Sequence, residues 1–419
     1  PDLKEQIQLE IDGIFDFTTE SEEIKQVKGS FLSASQKDPS NPVYTEMLIW
    51  FFLQNKNFNS AYQQVSSLEK RMRGDGGYLI DFGNTCLENL QYALAKQAFK
   101  EVISSNLYRS PEAQRMLLNV YFTELTTERA FTDAELNDIV SSYEEVVLNK
   151  EFSLRAGAEI GLEYAEILGF YANKADKSRG FLERCMNAPG LTDMQRARYK
   201  MKLADVCVAL DSIWEASLLY MQIDEAFKFE AIGNEAKFKN ARIFYFDGEF
   251  EFAQSQLDVL KQATSKFISN DAMQLSLLIL ENYGLDSNYE AMSTFAKSEL
   301  LLLQHRYKEA FQWMDTIATN FPQSVLNDDL IYLKGKAHEL QGQWEQASQY
   351  FKQIISTYPT ELLADDALFH LANIQRIHFK DNSAAMESYL KIIDQYPGSI
   401  YSEEARLSIR RLRGDQIPE

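Results

Sequence analysis

The sequence predicts an all-α chain, a right-handed α-solenoid of about ten helical hairpins. Three observations predict it. Only 9 Pro and 18 Gly occur in 419 residues, which favours long regular elements. A string of aromatic, two residues, Ala, three residues and a large apolar residue recurs along the chain. It reads Phe58…Ala61…Val65, Tyr92…Ala95…Phe99, Phe250…Ala253…Leu257, Tyr307…Ala310…Met314 and Trp344…Ala347…Phe351. Twelve residues before each Ala stands a further position, Ile49, Gly83, Ala241, Ser298 and Gly335, which is small in four of the five.

Each element follows from that pattern. The small residue marks the first helix of a hairpin at the point where the Ala of the second helix crosses, so the two backbones come close. The aromatic wedges the turn, and the large residue fills the next layer. Proline ends the second helix because it cannot continue the hydrogen-bond ladder; Pro189, Pro322, Pro359 and Pro397 each lie twelve residues past the Ala position. Two further units keep the pattern as Ala204…Ala216…Tyr220 and Ala372…Ala385…Tyr389, and a weaker one reads Ala165…Lys177…Phe181. Helix starts agree. Asn41-Pro42 and Ser110-Pro111 place a cap residue before a first-turn proline, and Thr132-Asp133-Ala134-Glu135 and Thr192-Asp193-Met194-Gln195 read as capping boxes.

In order, residues 1–40 form a divergent first unit. Units follow at about 41–73, 76–108, 110–149, 152–190, 192–229 and 232–267, with 110–149 degenerate. An apolar segment, Asp271–Tyr283, then breaks phase: Ala241 to Ser298 is 57 residues where other steps are 34 to 39. One added helix there would turn the superhelix, so the expected division is an N-terminal array 1–268, a junction 269–287 and a C-terminal array 288–419. The last array holds units at about 288–322, 324–359 and 361–397 and a polar-faced closing helix at about 399–412.

This pattern resembles the tetratricopeptide repeat, whose unit is about 34 residues. The resemblance covers most of the chain and implies a protein-binding scaffold without catalysis. A narrower likeness lies between Ser287 and Asp415, in Tyr307-Lys308-Glu309-Ala310, Tyr358-Pro359, Ala364-Asp365-Asp366-Ala367-Leu368 and Tyr396-Pro397-Gly398-Ser399. These phrases resemble the tetratricopeptide proteins of the bacterial envelope, such as the periplasmic coordinator of the Tol–Pal system and the outer-membrane-protein assembly lipoprotein. That likeness implies export, residence in the periplasm or outside the cell, and partners among envelope or outer-membrane proteins. The alternative is a cytoplasmic adaptor or regulator of the same fold. The chain opens Pro1-Asp2-Leu3-Lys4, without Met, a basic stretch or an apolar stretch, so a processed or removed leader is the expectation.

Charge and composition exclude other classes. Lys+Arg is 42 against Asp+Glu 62, a formal net charge of −20, and a nucleic-acid partner needs a basic surface. No apolar run approaches the roughly 20 residues that span a bilayer. Cys86, Cys185 and Cys207 are too widely spaced for a zinc motif. Phosphate loops, nucleophile elbows and metal-binding His pairs are missing from the sequence, so no cofactor, metal or catalytic residue is expected. Binding is the live function. In this family the first helices of the hairpins line a groove. Counted from the small positions, the groove candidates are Trp50, Phe238, Arg242, Tyr245, Tyr332, Lys336, Glu339, Phe369, Asn373 and Arg376. Aromatics alternating with Arg and Lys suit a protein-binding surface. The competing reading of each aromatic is packing against the adjacent first helix.

Overall fold

A computed structural model describes residues 6–8, 10–11, 22–129, 131–149, 152–261, 266–285, 289–322 and 324–413, with the side chains of 266, 267, 284 and 285 left out. Residues Pro1–Lys4, 286–288, Gly414 and Asp415, on which parts of the sequence reading fall, lie outside the described residues. Every described element is helical, and among the described residues there is no strand. The fold is an all-α solenoid of helical hairpins.

Two compact units divide the chain, residues 1–127 and 128–419. The first holds α1 (Glu22–Lys37), α2 (Pro42–Gln54), α3 (Phe58–Met72), α4 (Gly77–Glu88), α5 (Tyr92–Ser104) and nearly all of α6 (Ser110–Glu128). The second runs through α7 (Asp133–Val147), α8 (Ala158–Glu166), α9 (Ala175–Met186), α10 (Asp193–Ala209), α11 (Ile213–Ala226), α12 (Ala231–Phe246) and α13 (Phe250–Leu260). It continues with α14 (Lys266–Ile279), α15 (Tyr289–Leu303), α16 (Tyr307–Asn320), α17 (Asn327–Leu340) and α18 (Trp344–Thr357). It ends with α19 (Ala364–Ile377), α20 (Asn382–Gln395) and α21 (Ser402–Arg413). A π-helical turn extends α8 over Ile167–Tyr171 and another extends α14 over Leu280–Leu285. Residues 268 and 269 lie within the second unit.

The repeat string maps directly onto the hairpins. Phe58, Tyr92, Phe250, Tyr307 and Trp344 are each the first residue of a second helix. Ala61, Ala95, Ala216, Ala253, Ala310, Ala347 and Ala385 are all fully buried. The small position works differently from the expectation. What presses on Gly83 is the ring of Phe99, the large residue after Ala95: a Cβ on Gly83 would lie 2.6 Å from that ring. Gly335 faces Phe351 at 2.9 Å in the same way. The small residue therefore makes room for an aromatic ring four residues beyond the Ala, one turn further along the second helix.

Caps and turns fix the ends. Asn41 accepts from the Val43 amide, and Thr132 and Thr192 form complete capping boxes with Glu135 and Gln195. Ser110 does not cap as expected. It is the first residue of α6, and its hydroxyl donates back to the carbonyls of Leu107 (2.6 Å) and Val102 (3.1 Å). The turn between paired helices is a repeated left-handed stop. Lys56, Leu90, Asp211, Gly248, His305 and Gly342 all have φ between 52° and 85°. The amide after each bonds a carbonyl five residues back, as in Asn57 to Phe52 and Gln343 to His338.

Candidate functional site

Position along a first helix decides which way a side chain points. Residues at the small position and four beyond it share one face, because a turn takes 3.6 residues. Tyr245, four past Ala241, is accordingly fully buried, and its hydroxyl donates to Glu299 at 2.6 Å. Glu339, four past Gly335, is buried too. Phe369, three before Ala372, is buried and stacks on Tyr401 at 4.2 Å. Expected in the groove from sequence, these three give their side chains to the core instead. Arg376 is half-buried and its Nε donates to the Tyr389 hydroxyl. The Tyr389 hydroxyl donates in turn to Asn373. Trp50 is half-buried on α2, in the first unit.

One residue past the small position lies about 100° round the helix, away from the core stripe. That position reads Glu166, Asp205, Arg242, Glu299 and Lys336 on successive first helices, and every one of them lines one of two clefts in the second unit. Of these five, the groove candidates from sequence include Arg242 and Lys336. Glu166, Asp205 and Glu299 were legible by the same count.

The first cleft, about 370 Å³, is walled by α8, its π turn, α10, α12 and the ends of α15 and α17. Its charged residues are Arg129, Lys202, Lys239 and Arg242 against Glu166 and Asp205, and Phe170, Tyr171, Phe246 and Tyr307 give it an aromatic wall. The second, about 410 Å³, is walled by α12, α14, α15, α17 and the loop before α19. It carries six carboxylates, Asp271, Glu281, Glu299, Asp328, Asp329 and Glu361, against Arg242 and Lys336. Phe238, Leu275, Leu278 and Tyr332 supply apolar surface. Arg242, Leu303 and Leu340 belong to both clefts. Phe238, Arg242, Tyr332 and Lys336, all groove candidates from sequence, line this one cleft together. The α14 contribution was not foreseen, because that helix lies outside the repeat phase.

Burial pushes the carboxyl groups of Asp271, Glu281, Glu299, Asp328 and Asp329 upward, and Arg242 opposes that rise at Asp271 and Glu299. An ion-pair ladder runs into the clefts. Lys202, two before Ala204, pairs with Glu166 at 2.8 Å, and Lys239, two before Ala241, pairs with Asp205 at 2.9 Å. The next rung would fall on Ala296 and the one after on Leu333, both apolar and buried. The ladder therefore breaks at Arg242 and Glu299. Among the described residues Arg242 makes no ion pair; its guanidinium lies over the Phe246 ring at 5.1 Å. Beyond the break, Lys336 Nζ meets Glu339 at 2.7 Å and His370 Nε2 at 3.3 Å, with His370 Nδ1 on Glu339 at 2.9 Å.

Among the described residues no group of three or more His, Cys, Asp or Glu is arranged to hold a metal ion, and no helix is long and apolar enough to cross a membrane. All three cysteines are free and buried, with burial pushing Cys86 and Cys185 up to about 12 and Cys207 up to about 11.

Residues 329–360 and 366–399 match the family described as tetratricopeptide repeat. Among curated proteins no sequence matches the chain. Solved structures do. The P58(IPK) TPR domain is 13% identical, with 98% of this chain and 97% of that one covered and a TM-score of 0.25. A tetratricopeptide repeat protein from Parabacteroides merdae ATCC 43184 is 11% identical, with 72% and 99% covered and a TM-score of 0.37. The APC/C hetero-tetramer Cut9-Hcn1 is 11% identical, with 93% and 86% covered and a TM-score of 0.27.

Proposed function

We propose that this chain, which carries tetratricopeptide repeats at residues 329–360 and 366–399, is a protein-binding scaffold of the bacterial envelope that holds partner proteins along its first-helix face. One observation carries the binding reading: two adjoining clefts, each lined by the same register position of successive repeats, join apolar walls to charged groups. Binding surfaces are built in this way, with aromatic and apolar anchors beside polar groups that set specificity. The compartment part of this reading rests on the phrases between Ser287 and Asp415 alone, which resemble those of envelope proteins. The buried thiols do not argue against an oxidising compartment, since burial keeps them in the unreactive protonated form.

Photo-crosslinking in the native host tests the binding face. A benzophenone side chain at Leu303 or Leu340 is expected to trap partner proteins, while the same group at exposed Leu218 on the second-helix side traps far less. Equal trapping at all three positions overturns the assignment. Compartment is tested separately by fusing alkaline phosphatase to the natural full-length chain. The enzyme folds actively only after export, so an inactive fusion moves the scaffold to the cytoplasm.

A further inference from the structure

The broken rung of the ion-pair ladder leaves a cation and a carboxylate side by side with opposite surroundings. On one side of Arg242 lies a cleft with four basic and two acidic side chains. Two of those basic residues, Lys202 and Lys239, are matched within the ladder by Glu166 and Asp205. On the other side lies a cleft with six acidic and two basic side chains. There Glu299 has the Tyr245 hydroxyl as a hydrogen-bond donor and no ion pair among the described residues. In a protein whose net charge is −20, a surplus of cations in a walled cleft is not a consequence of bulk composition. Both clefts share Arg242 and, as apolar surface between them, Leu303 and Leu340.

We propose that these joined clefts bind a peptide segment of the partner whose charge is segregated. An acidic side chain or carboxylate lies on Arg242 in the first cleft, an apolar residue rests on Leu303 and Leu340, and Lys or Arg residues lie over Glu299, Asp328 and Asp329 in the second. The inference rests on the scaffold reading and adds the chemistry of what is held. Charge complementarity selects this occupant. A uniformly basic segment would set a like charge against Arg242, and a uniformly acidic one would meet six carboxylates. Burial raises the cost of keeping Asp271, Glu281, Glu299, Asp328 and Asp329 ionised, and a bound ammonium or guanidinium offsets that cost through charge-assisted hydrogen bonds. The same Arg242 guanidinium, lying over Phe246, is preorganised for a carboxylate, since its planar fork is already held in place.

The test uses a displayed library of random peptides of about twelve residues, up to roughly 40 Å when extended, selected on the immobilised full chain. Enriched sequences are expected to carry acidic residues at one end, an apolar centre and basic residues at the other. A synthetic peptide of that kind should bind at least about tenfold tighter than one of equal composition with its charges alternating, one lost charged contact being worth roughly that factor. Arg242→Glu should shift selection to sequences with basic residues throughout, and Arg242→Gln should weaken the segregated peptide while leaving the thermal unfolding curve in place. If Arg242→Glu fails to fold, the milder pair Glu299→Gln and Asp329→Asn should remove the preference for a basic end. Enrichment of all-basic, all-acidic or uncharged peptides overturns the proposal, as does no enrichment or equal binding of the alternating peptide. None of these outcomes touches the crosslinking result, which can still hold if the partner is recognised by other chemistry.

Discussion

At the scale of single residues, the repeat is a steric code more than a hydrophobic one. Gly83 and Gly335 exist to admit a ring, so Gly83→Ala drives a methyl group to 2.6 Å from Phe99. Overpacking of this kind costs about 1–3 kcal/mol, and the expected outcome is a lower midpoint in urea with an unchanged slope. An unchanged midpoint would mean the ring moves aside freely. Asp366 is a second case. It stands in the first turn of α19, where its charge suits the helix dipole, but it is buried and accepts from the Tyr401 hydroxyl at 2.9 Å and Gln274 at 3.2 Å. Burial first, and the neighbouring Asp365 second, push its carboxyl up to about 6. A raised carboxyl binds its proton more tightly in the folded state, so its contribution is fully present below the ordinary value near 3.9 and is lost as pH rises through about 6. Asp366→Asn should therefore gain on the parent between about pH 4.5 and about pH 7.5, by no more than roughly 3 kcal/mol. Calorimetric midpoints across that range check it, and parallel curves for the two proteins would refute it.

At the scale of elements, the hairpins were legible and their junctions were not. Every aromatic–Ala string fell at the start of a second helix, because a buried Ala and a wedge ring leave few alternatives for two crossing helices. The left-handed turns were hidden. Only Gly248 and Gly342 among the six carry glycine, while Lys56, Leu90, Asp211 and His305 take a conformation that costs a side-chain-bearing residue about 1–2 kcal/mol. Closure of the hairpin imposes that strain, and no local residue signals it. Tyr245 and Phe369 were misplaced for a related reason. Residue type suggested a binding surface, but angle round the helix decides exposure, and both sit near the core stripe. The α14 wall was invisible as a wall because a helix outside the repeat phase has no counterpart from which to infer its facing. Between α17 and α19 the Lys336–Glu339–His370 network shows what joins neighbouring hairpins. Burial alone would raise the Glu339 carboxyl; Lys336 and His370 more than reverse this and hold it well below the usual range. Its stabilisation is present above the ordinary carboxyl value and is lost as pH falls. Glu339→Gln should cost about 3 kcal/mol near neutral pH, the scale for breaking a buried pair, and progressively less in acid. A cost independent of pH would show that packing, not charge, is what the substitution removes.

At the scale of the whole molecule, the net charge of −20 is spread over repeated units, and opposing effects of salt follow from it. Many of the ion pairs are between partly exposed side chains, as in Lys25–Glu22 and Lys391–Glu387, and such pairs contribute little. Repulsion among the surplus carboxylates is expected to outweigh them, and it includes the crowd in the second cleft, where burial already opposes ionisation of Asp271, Glu281, Glu299, Asp328 and Asp329. Screening over a Debye length of about 10 Å at 0.1 M salt reduces that repulsion. Raising salt from about 0.02 M to about 0.5 M should therefore raise the thermal midpoint, by roughly 2–4 °C for each kcal/mol of repulsion relieved. The same change should weaken the charge-segregated peptide, because its contacts with Arg242, Glu299 and Asp329 are partly solvated and are screened by the same ions. Scanning calorimetry and peptide titration on one salt series separate the two effects by their opposite slopes. A midpoint that falls with salt would show that the surface ion pairs outweigh the repulsion. A peptide affinity that ignores salt would place the binding energy in the apolar walls, with the charges setting only the register in which the peptide lies.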